Sequence, residues 1–434
     1  MKKVLLISPD IVAKKMAGPG IRYFNFAKEL STTLEVTLFI PNKETDMDFS
    51  KFNFKVIKAD KTKLKSVAKD VHSIVMQGIA LRLYPFLKRI NKPIVVDIYD
   101  PITLENLELR KNLSLSNRIE YHETDLDLIL EQLGKGDFFL CASEKQKDYW
   151  MGMLAALNRV NPATYIADVN MKKLIGVVPF GLNNEAPVKT KNVLKGVWEN
   201  ITKEDKIIIW GGGIWNWFDP LTLIEAMYII STKRSDIKLF FMGIGHPTVK
   251  MDISTAQECI DLSKKYDLFD KNIFFNDWVP YEERQNYLME ADLGISTYFN
   301  NLETRYSFRT RILDYLWCDL PMVLTKGDFM AEMVERENIG SCHEERDAAG
   351  LAEAIVKLLD DKELYKECKE NIESLKEAYK WKNAVNDLRE FCENPYISQD
   401  KKLKVKIFYK DGIAKKVKYY YVRVKNKLKK ILKR

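Results

Sequence analysis

The chain has 434 residues, of which 46% are hydrophobic and 30% are charged. A single hydrophobic core stops growing at roughly 250–300 residues, so a chain of this length should contain more than one domain. This composition excludes a disordered chain, a collagen-like chain and a membrane bundle, and no apolar run approaches the ~20 residues of a spanning helix.

The start of the sequence lacks the pattern of a secretory signal. Its apolar run, Val4–Ile7, is shorter than the roughly 7–15 residues of a signal's hydrophobic region, so we expect the chain to stay in the cytoplasm. The six cysteines form no CxxC pair, and the sequence has four scattered histidines. This pattern predicts reduced thiols and no zinc site.

Charge is distributed unevenly along the chain. Residues 401–434 contain 15 Lys or Arg and one acid, Asp411, for a net charge of +14. The remaining residues carry 54 basic and 60 acidic side chains, for a net charge of −6. A mildly acidic body with a strongly basic tail argues against a body that binds nucleic acid.

Short apolar runs alternate with amphipathic stretches along the first half of the chain. The runs predict buried parallel strands, and the stretches between them predict helices. The predicted strands of this half are Val4–Ile7, Val36–Ile40, Ile74–Met76, Ile94–Ile98, Phe138–Ala142 and Ile175–Pro179.

The same alternation restarts near residue 205, after a polar segment at 181–205 that has no strand pattern. Past residue 345 the strand pattern stops, and apolar spacing predicts helices at about 347–360, 362–378 and 381–393. The predicted strands of this half are Ile207–Trp210, Leu239–Met242, Ile273–Phe275, Leu293–Ser296 and Met322–Leu324.

An alternation that occurs twice predicts an α/β fold of two doubly wound, Rossmann-like domains that face a cleft. The predicted division is 1–183 and 184–378 for the two domains, 379–395 for a helix returning to the first domain, and 396–434 for a basic amphipathic tail.

In each half, the first strand leads into a glycine-containing loop and then a helix. The first loop contains Gly18-Pro19-Gly20, before a helix predicted from Ile21, and the second is Gly211-Gly212-Gly213. Glycine lets a backbone approach a ligand closely, and a helix N-terminus favours phosphate. Neither loop matches GxGxxG or Walker A, so two simple tight turns remain the alternative. The second helix should begin with Asp219 as N-cap and Pro220 at its first position.

An arginine-rich segment at 303–323 enters a further helix. Ser307 is expected to cap that helix, so that Phe308, Arg309 and Thr310 present first-turn N–H groups. The guanidinium groups of Arg305, Arg309 and Arg311 suit a dianion, because guanidinium pairs phosphate oxygens bidentately. Asp314 lies one turn after Arg311, where a carboxylate can accept from ribose hydroxyls. The alternative is a surface helix with an ordinary Arg311–Asp314 pair.

This half resembles the nucleotide-sugar domain of retaining glycosyltransferases of the GT-B fold, glycosyltransferase family 4. That family carries an E-x7-E motif and an AxxCGxP-like turn, and residues 314–321, Asp-Tyr-Leu-Trp-Cys-Asp-Leu-Pro, resemble its second part. The resemblance places Asp314 at the second acid and implies a ribose contact. Eight residues earlier is Tyr306, and Glu303 is near but out of register, so the first acid is absent or displaced.

Several shorter segments also resemble that family. They are Gly18-Pro19-Gly20 with Arg22 (acceptor-domain glycine loop), Leu239–Gly245 (strand ending in GxG), Asn276–Pro280 (nucleobase loop), Ala291–Ser296 (ADxxxxS strand) and Ala378–Trp381 (start of the closing helix). Family members usually carry Arg and Lys after the second domain's first strand to hold the diphosphate, whereas residues 212–218 here contain neither. We therefore expect Arg309 and Arg311 to supply that charge.

The resemblance implies transfer of a sugar from a nucleoside diphosphate donor to a hydroxyl acceptor, with retention at the anomeric carbon and without a metal or other cofactor. It implies catalytic roles for Arg309 and Arg311, and for Asp100, which resembles the position of a sugar-site histidine although it could equally cap the helix after Pro101. The expected donor-binding residues are Gly20, Arg22, Gly212, Gly213, Asn216, Val279, Phe308, Thr310 and Asp314.

Two other functions fit parts of the sequence. Asp125-Leu126-Asp127 is a DxD of the kind that a metal-dependent transferase or nucleotidyltransferase uses, but residues 124–133 are predicted to be helical. A GT-B scaffold without catalytic activity is the second alternative, because the E-x7-E motif is incomplete. Titration with nucleoside diphosphates distinguishes that scaffold from an enzyme.

The basic tail has a helical stripe of apolar residues: Val417, Tyr421, Val424, Leu428 and Ile431. A basic amphipathic helix with aromatic residues is typical of an anionic membrane surface, where each basic residue contributes about 1 kcal/mol. A solvated, disordered tail and a nucleic-acid-binding tail are the alternatives. We expect a peripheral protein on the cytoplasmic face of the membrane, with a glycan acceptor that a lipid could carry, as in assembly of surface polysaccharide.

Overall fold

The computed structural model describes residues 1–245 and 254–409. The predicted apolar stripe of the tail, at 417–431, lies outside these residues. By the contacts between its residues, the chain divides into two compact units. Unit 1 comprises Met1–Val12, Leu30–Val177 and the chain from Asp387 onward, and unit 2 comprises Ala13–Glu29 and Val178–Asn386. Residues 178–183 and 379–386 therefore belong to unit 2.

Unit 1 contains a seven-stranded sheet in which all neighbouring strands are parallel. Its strands are β1 (Lys3–Ile7), β2 (Glu35–Ile40), β3 (Lys55–Lys58), β4 (Ser73–Gln77), β5 (Ile94–Asp97), β6 (Phe138–Cys141) and β7 (Ile175–Val177). The strand order is β3-β2-β1-β4-β5-β6-β7. The order reverses between β1 and β4, which is the arrangement of a doubly wound sheet.

Helix α1 (Gly18–Leu30) follows β1 in the chain, but up to Glu29 it belongs to unit 2. The helices that follow the later strands of unit 1 are α2 (Lys61–Asp70), α3 (Ala80–Leu83), α4 (Ile102–Leu109), α5 (Leu115–Lys135), α6 (Glu144–Ala156) and α7 (Pro162–Ala167). The core of unit 1 joins strand residues to helix residues, including Leu5, Ile74 and Val96 with Leu64, Leu133 and Trp150. Burial of these apolar faces holds the helices on the sheet.

Unit 2 contains a six-stranded parallel sheet with the same winding. Its strands are β8 (Lys206–Trp210), β9 (Ile237–Phe241), β10 (Ile273–Phe275), β11 (Leu293–Ser296), β12 (Met322–Thr325) and β13 (Gly340–His343). The order β10-β9-β8-β11-β12-β13 reverses between β8 and β11. The predicted doubly wound α/β architecture is thus confirmed in both sheets.

The helices of unit 2 include the predicted helix that Asp219 caps. They are α8 (Pro220–Ser231), α9 (Ser254–Lys265), α10 (Arg284–Leu288), α11 (Leu302–Tyr306), α12 (Thr310–Trp317), α13 (Phe329–Arg336), α14 (Ala348–Asp360), α15 (Lys362–Tyr379) and α16 (Trp381–Ala384). The Asp219 carboxylate accepts from the Thr222 backbone N–H at 3.2 Å, and Pro220 is the first helical residue, as predicted.

Every predicted apolar run overlaps a strand, but the edge strands β3 and β13 were not predicted. Strand β3 is Lys-Val-Ile-Lys with both lysines exposed, and β13 is Gly-Ser-Cys-His. An edge strand of a sheet needs less apolar sequence than a central strand, because one of its sides is not covered by a neighbouring strand. The helix predicted over 381–393 is two helices, α16 and α17 (Asn386–Glu393).

The structure corrects the start of the predicted tail. Helix α18 (Gln399–Lys402) belongs to unit 1, and the Asp400 carboxylate pairs with Arg159 at 2.5 Å with both side chains fully buried. Ser398 donates its backbone N–H to Asp137, and the Lys401 ammonium pairs with the same carboxylate at 2.6 Å. Residues 396–402 are therefore part of the fold of unit 1 and not of a detached tail.

Within the described part of the chain, none of the helices combines the length and the apolar character that crossing a bilayer requires.

Candidate functional site

The strand order of unit 2 reverses between β8 and β11, and ligands of doubly wound sheets bind at such a point, beyond the carboxyl ends of the strands. Strand β8 ends at Trp210 and is followed by the glycine loop, Gly211–Gly213. Gly212 has a φ of +77°, a left-handed conformation that favours glycine. The glycine loop therefore lies at the ligand-binding end of this sheet.

Tyr315 on α12 holds the glycine loop against the two central strands. Its hydroxyl accepts from the Gly211 N–H at 2.8 Å and lies 2.8 Å from the carbonyl oxygen of Ile295 and 3.1 Å from that of Ile209. A Cβ on Gly294 would meet the Tyr315 ring at 2.6 Å, so β11 needs glycine there. Burial raises the pKa of Tyr315 to about 12, and the hydroxyl stays protonated.

Sequence reasoning missed Tyr315. The available signal was a glycine inside an otherwise apolar strand, Leu293–Ser296, which indicates a close approach by another group. The identity of the approaching ring could not be read from that signal.

Arg311, one turn before Tyr315 on α12, reaches the glycine loop. Its Nη2 donates to the Gly213 carbonyl oxygen at 3.0 Å. The guanidinium carbon lies 4.1 Å from the centre of the Phe218 ring and 4.8 Å from that of Trp210. These rings stabilise the cation through their π faces and shield it from water.

The charge of Arg311 has no carboxylate partner among the described residues, and its buried Nη1 has no hydrogen-bond partner there. Burial, with a smaller contribution from the nearby Arg309 charge, lowers the pKa of Arg311 from its ordinary value to about 10. The side chain still carries its positive charge at neutral pH. A partly buried cation with a buried, unused N–H donor beside a glycine loop is suited to bind an anion.

Arg309 lies in a different environment from Arg311. Its surroundings contradict the expected direct contact between Arg309 and a diphosphate. It is 6% exposed, and its Nη1 and Nη2 donate to the two Glu303 carboxylate oxygens at 3.0 and 2.7 Å. Burial alone would lower its pKa, but the carboxylates of Glu303 and Asp328 hold that pKa above the ordinary value. Arg309 therefore neutralises buried acids of the protein itself.

The entry into α12 also differs from the prediction. Ser307 is the C-cap of α11, and its hydroxyl donates to the Thr304 carbonyl oxygen at 3.2 Å. The N-cap of α12 is Arg309, whose side chain makes no capping hydrogen bond, and Thr310 is the first helical residue. Phe308 is buried and stacks on Phe329 at 6.0 Å. Phe308 and Arg309 thus precede the helix instead of forming its first turn.

Asp314 pairs with a different arginine from the expected one. Its Oδ1 accepts from Arg284 Nε at 2.9 Å, and the Arg284 guanidinium lies over the Trp317 ring at 4.6 Å. The Asp314 side chain remains 35% exposed. The alternative of a surface Arg311–Asp314 pair is therefore wrong, and a partly accessible carboxylate lies one turn after Arg311.

Val279 lies in the loop after β10, at the same end of the sheet as the glycine loop. The side chain of Val279 is buried, and its N–H donates to the Met242 carbonyl oxygen at 3.0 Å. A Cβ on Gly243 would meet the Trp278 ring at 2.7 Å. The loops after β9 and β10 are thus packed on each other beside the glycine loop.

Asn216 lies between β8 and α8, in the same loop as Gly212 and Gly213. A Cβ on Gly213 would meet the Trp215 ring at 2.6 Å, so the aromatic side chain folds back over the loop. The structure thus brings together Gly212, Gly213, Asn216 and Arg311 at one end of the unit 2 sheet.

The residues predicted near α1 have structural roles. Gly20 lies within the first turn of α1, which begins at Gly18, so these glycines do not form a loop. Arg22 is 0% exposed, and its Nη1 and Nη2 donate to the carbonyl oxygens of Pro179 and Val178 at 2.9 and 2.8 Å. The Arg22 guanidinium therefore holds the backbone that follows β7. This structural role replaces the predicted role of Arg22 in donor binding.

Asp100 lies past the carboxyl end of β5 in unit 1. The Oδ2 of Asp100 lies 3.5 Å from the Nε2 of Gln77. The backbone carbonyl oxygen of Asp100 accepts from the Ile102 N–H at 2.8 Å. The N-cap of α4 is Pro101, so Asp100 is not the cap residue.

The DxD motif lies within α5, as its sequence pattern predicted. Asp125 accepts from Arg110 at 2.5 Å and from Asn106 at 2.9 Å, and Asp127 pairs with Arg82 at 3.0 Å. Both carboxylates are therefore engaged by basic or amide side chains of the protein. No group of three or more His, Cys, Asp or Glu residues in the described ranges is placed to hold a metal ion.

The sequence of the unit 2 sheet and its helices matches a known family. Residues 205–361 match the family model described as Glycosyl transferases group 1. This range contains β8 to β13 and includes the glycine loop, Arg311 and Asp314. By sequence, no curated protein matches the chain.

Solved structures resemble the fold over nearly the whole chain. A sucrose-phosphate synthase from Thermosynechococcus elongatus has a TM-score of 0.60 and 16% identity, over 91% of this chain and 98% of that one. HepE of Anabaena in complex with UDP has a TM-score of 0.61 and 14% identity, over 91% and 100%. WaaG, a glycosyltransferase involved in lipopolysaccharide biosynthesis, has a TM-score of 0.61 and 13% identity, over 90% and 100%. The chain therefore has the GT-B fold of these structures, and residues 205–361 match the family described as Glycosyl transferases group 1.

Proposed function

We propose that the chain is a glycosyltransferase that moves a sugar from a nucleoside diphosphate donor to a hydroxyl acceptor. The observation that carries this proposal is Arg311, a partly buried cation without a carboxylate partner among the described residues, whose buried Nη1 is an unused donor beside the glycine loop of unit 2. The match of residues 205–361 to Glycosyl transferases group 1 and the GT-B fold support the same conclusion.

In this proposal Arg311 stabilises the leaving diphosphate. Negative charge develops on the diphosphate as the bond from the anomeric carbon to its oxygen breaks. Arg311 is already held by Gly213, Trp210 and Phe218, so its charge needs no reorganisation during the reaction. Because the surroundings are largely apolar, each electrostatic contact there is stronger than in water.

The chain places this charge on α12, whereas residues 212–218 of the glycine loop and its continuation contain no Lys or Arg. We propose that the backbone N–H groups of the loop, with the Asn216 side chain, supply the remaining donors. Arg309 supports the site indirectly, since it neutralises Glu303 beneath the entry to α12.

Asp314 is the proposed partner of the ribose hydroxyls. Its pairing with Arg284 orients it while leaving it partly exposed. The loop that contains Val279 is the proposed neighbour of the nucleobase. The HepE structure contains UDP, so UDP is the first nucleotide to test.

Three finer points of the proposal concern chemistry and location. We propose transfer with retention at the anomeric carbon and without a metal, with Asp100 of unit 1 orienting a hydroxyl group. We also propose that the acceptor is a lipid-linked intermediate of a surface glycan, at the cytoplasmic face of the membrane. The net charge of +14 in residues 401–434 supports attachment to anionic lipid there.

Isothermal titration with a panel of nucleoside diphosphates tests the donor site. We expect one member to bind wild-type protein and to bind Arg311→Met at least ~100-fold more weakly, as removal of a charge at such sites predicts. Binding that is unaffected by EDTA supports the metal-free proposal. If no nucleoside diphosphate binds, the alternative of a scaffold without catalytic activity is favoured.

A further inference from the structure

A surface of unit 1 that the proposed reaction does not use is rich in exposed apolar side chains. It consists of α7 with the turn that follows it, residues 162–174, and of the segment 396–408 that contains α18, and we call these two segments the α7 face. Single exposed apolar residues are ordinary on protein surfaces, whereas a group of them indicates an interaction site. The exposed large apolar side chains of the face are Tyr165 (55%), Ile166 (84%), Val169 (59%), Leu403 (61%) and Phe408 (61%).

Hydrogen bonds join the two segments of the α7 face to each other and to the rest of unit 1. The Tyr396 hydroxyl donates to the Lys173 carbonyl oxygen at 2.7 Å. The Phe408 N–H donates to the Leu157 carbonyl oxygen at 3.1 Å, five residues before α7 begins. Between these two contacts, the fully buried carboxylate of Asp400 anchors α18 through its ion pair. The exposed apolar side chains therefore belong to a structured surface.

A cavity of about 280 Å³ lies between the two segments of the face. Its apolar lining includes Met171, Leu174 and Ile397. Leu174 directly precedes β7, so the cavity lies at the amino end of the unit 1 strands, opposite to the end at which Asp100 follows β5. An apolar cavity flanked by exposed apolar side chains is suited to receive a protruding side chain of a partner, as the pockets for anchor residues in protein interfaces are.

The α7 face carries positive charge that the protein itself does not neutralise. Its two acids are already engaged, because Asp168 accepts from two backbone N–H groups of its own turn and Asp400 pairs with Arg159. The chain that continues from the face is also basic, with a net charge of +14 in residues 401–434. The face is therefore complementary in charge to an acidic partner. The exposed lysines of the face that pair with no carboxylate among the residues the structure describes are Lys172, Lys173, Lys402, Lys404 and Lys406.

The cavity and the lysines together favour an acidic protein segment over other partners. A bilayer receives side chains that protrude from a protein, and it presents no protruding group of its own to fill a cavity. A symmetric dimer through this face would bring two basic surfaces together, and like charges oppose each other across an interface. Nucleic acid is bound through its phosphates and base edges, and neither fills an apolar cavity. An acidic segment with one large apolar side chain satisfies both features of the face.

We propose that the α7 face binds an acidic amphipathic segment of another protein. One large apolar side chain of that segment enters the cavity beside Ile397, and its carboxylates face the lysines around the cavity. Amphipathic segments are recognised in this way by apolar grooves with a charged border. Because the face lies at the amino end of the unit 1 sheet, a bound segment leaves the end that contains Asp100 uncovered. The proposal is independent of the donor chemistry at Arg311.

Selection of a displayed library of random peptides on the full chain tests this proposal. One variant is Ile166→Asp with Val169→Asp, which removes apolar contacts at the exposed edge of α7. A second variant is Lys172→Glu with Lys173→Glu, which reverses charge beside the cavity. The matched control is Val188→Asp, because Val188 is 67% exposed and belongs to unit 2. All substituted side chains are exposed, so the variants should fold, and their melting temperatures verify this.

We expect wild-type protein to enrich peptides that combine acidic residues with a leucine or an aromatic residue. The most enriched peptide, synthesised with a fluorescent label, should bind each double variant at least ~10-fold more weakly than wild type and bind the control like wild type, measured by fluorescence anisotropy. Its affinity for wild type should decrease as salt rises, because the lysines contribute to binding. Affinity for nucleoside diphosphate should be unchanged in every variant, so failure of this proposal and failure of the proposed glycosyl transfer are distinguishable.

Several results would overturn the proposal. One is a selection that enriches no acidic peptide, and another is equal binding of the best peptide to wild type and to both double variants. Loss of binding to phosphatidylglycerol vesicles in Ile166→Asp with Val169→Asp would assign the face to lipid, and loss of a wild-type dimer in the same variant, seen by light scattering, would assign it to self-association. Peptide binding by a chain that ends at Tyr409 but not by the full chain would assign the face to residues 410–434.

Discussion

Replacing Arg311 by methionine should separate function from stability. The change removes the charge and keeps a long side chain between Trp210, Phe218 and the glycine loop. The lowering of the Arg311 pKa to about 10 corresponds to a penalty of roughly 3 kcal/mol for holding the charge in the folded protein at neutral pH. Methionine relieves this penalty.

The same substitution removes favourable contacts. Two cation–π contacts of about 0.5–2 kcal/mol each and one hydrogen bond of about 1 kcal/mol are lost. The gains and losses nearly cancel, so we expect the free energy of unfolding to change by no more than about 2 kcal/mol. Donor turnover should fall by about 10²–10³, because the charge that we propose to face the diphosphate is gone.

The sign of the pH dependence follows from the lowered pKa of Arg311. Between the folded-state pKa of about 10 and the higher pKa of the unfolded chain, the unfolded chain binds this proton and the folded protein does not, so folding stability from this group increases as pH rises through that window. Affinity for the diphosphate should decrease over the same window, because the bound anion needs the charged form. In Arg311→Met both dependences on this group should be absent.

Arg309→Met is the matched control, two residues away. It leaves the Glu303 carboxylate buried without its cation, so we expect a loss of about 3–5 kcal/mol in the free energy of unfolding. Urea unfolding measures stability, and release of nucleoside diphosphate measures turnover. A large loss of stability in Arg311→Met with normal turnover per folded molecule would refute the reasoning, since Arg311 would then be structural.

Three further changes test other parts of the account. Asp314→Asn should raise KM for the donor by about tenfold with a smaller effect on kcat, measured by initial rates, if the carboxylate binds the ribose. Tyr315→Phe should lower the free energy of unfolding by about 1–3 kcal/mol, because the buried Gly211 N–H loses its acceptor. An unchanged melting temperature in calorimetry would contradict this expectation. A chain that ends at Tyr409 should keep its stability and donor affinity but lose binding to anionic vesicles at low salt. A chain that ends at Gln399 should also lose about 3–5 kcal/mol of stability, because Arg159 loses Asp400.

The sequence predicted the two sheets well because parallel strands are buried on both faces and consist of apolar runs. It did not predict β3 or β13, whose residues are partly exposed at sheet edges and carry little apolar signal. The sequence also predicted that the tail begins at residue 396, whereas residues 396–402 belong to the fold of unit 1. The burial of Asp400 depends on Arg159, which lies 241 residues away in the sequence, and no local pattern records that contact.

The candidate site was predicted in part. Spacing located the glycine loop and the arginine-rich segment, but it could not distinguish Arg309 from Arg311. The difference arises because a short helix, α11, turns Glu303 back towards Arg309, while Arg311 faces Gly213 from the first turn of α12. The predicted role of Arg22 in donor binding was wrong for a similar reason. Only the tertiary structure shows that both terminal nitrogens of its guanidinium donate to backbone carbonyl oxygens.

The most direct test of the central claim is release of nucleoside diphosphate from a panel of nucleotide sugars, beginning with UDP-sugars, by wild-type protein and Arg311→Met. We predict turnover of at least one donor by wild-type protein, with formation of free nucleoside diphosphate, and a rate about 10²–10³ lower in a folded Arg311→Met. Equal rates in the two proteins would contradict the assignment of Arg311 to the leaving diphosphate. No turnover and no binding of any donor by wild-type protein would contradict the proposed glycosyltransferase itself.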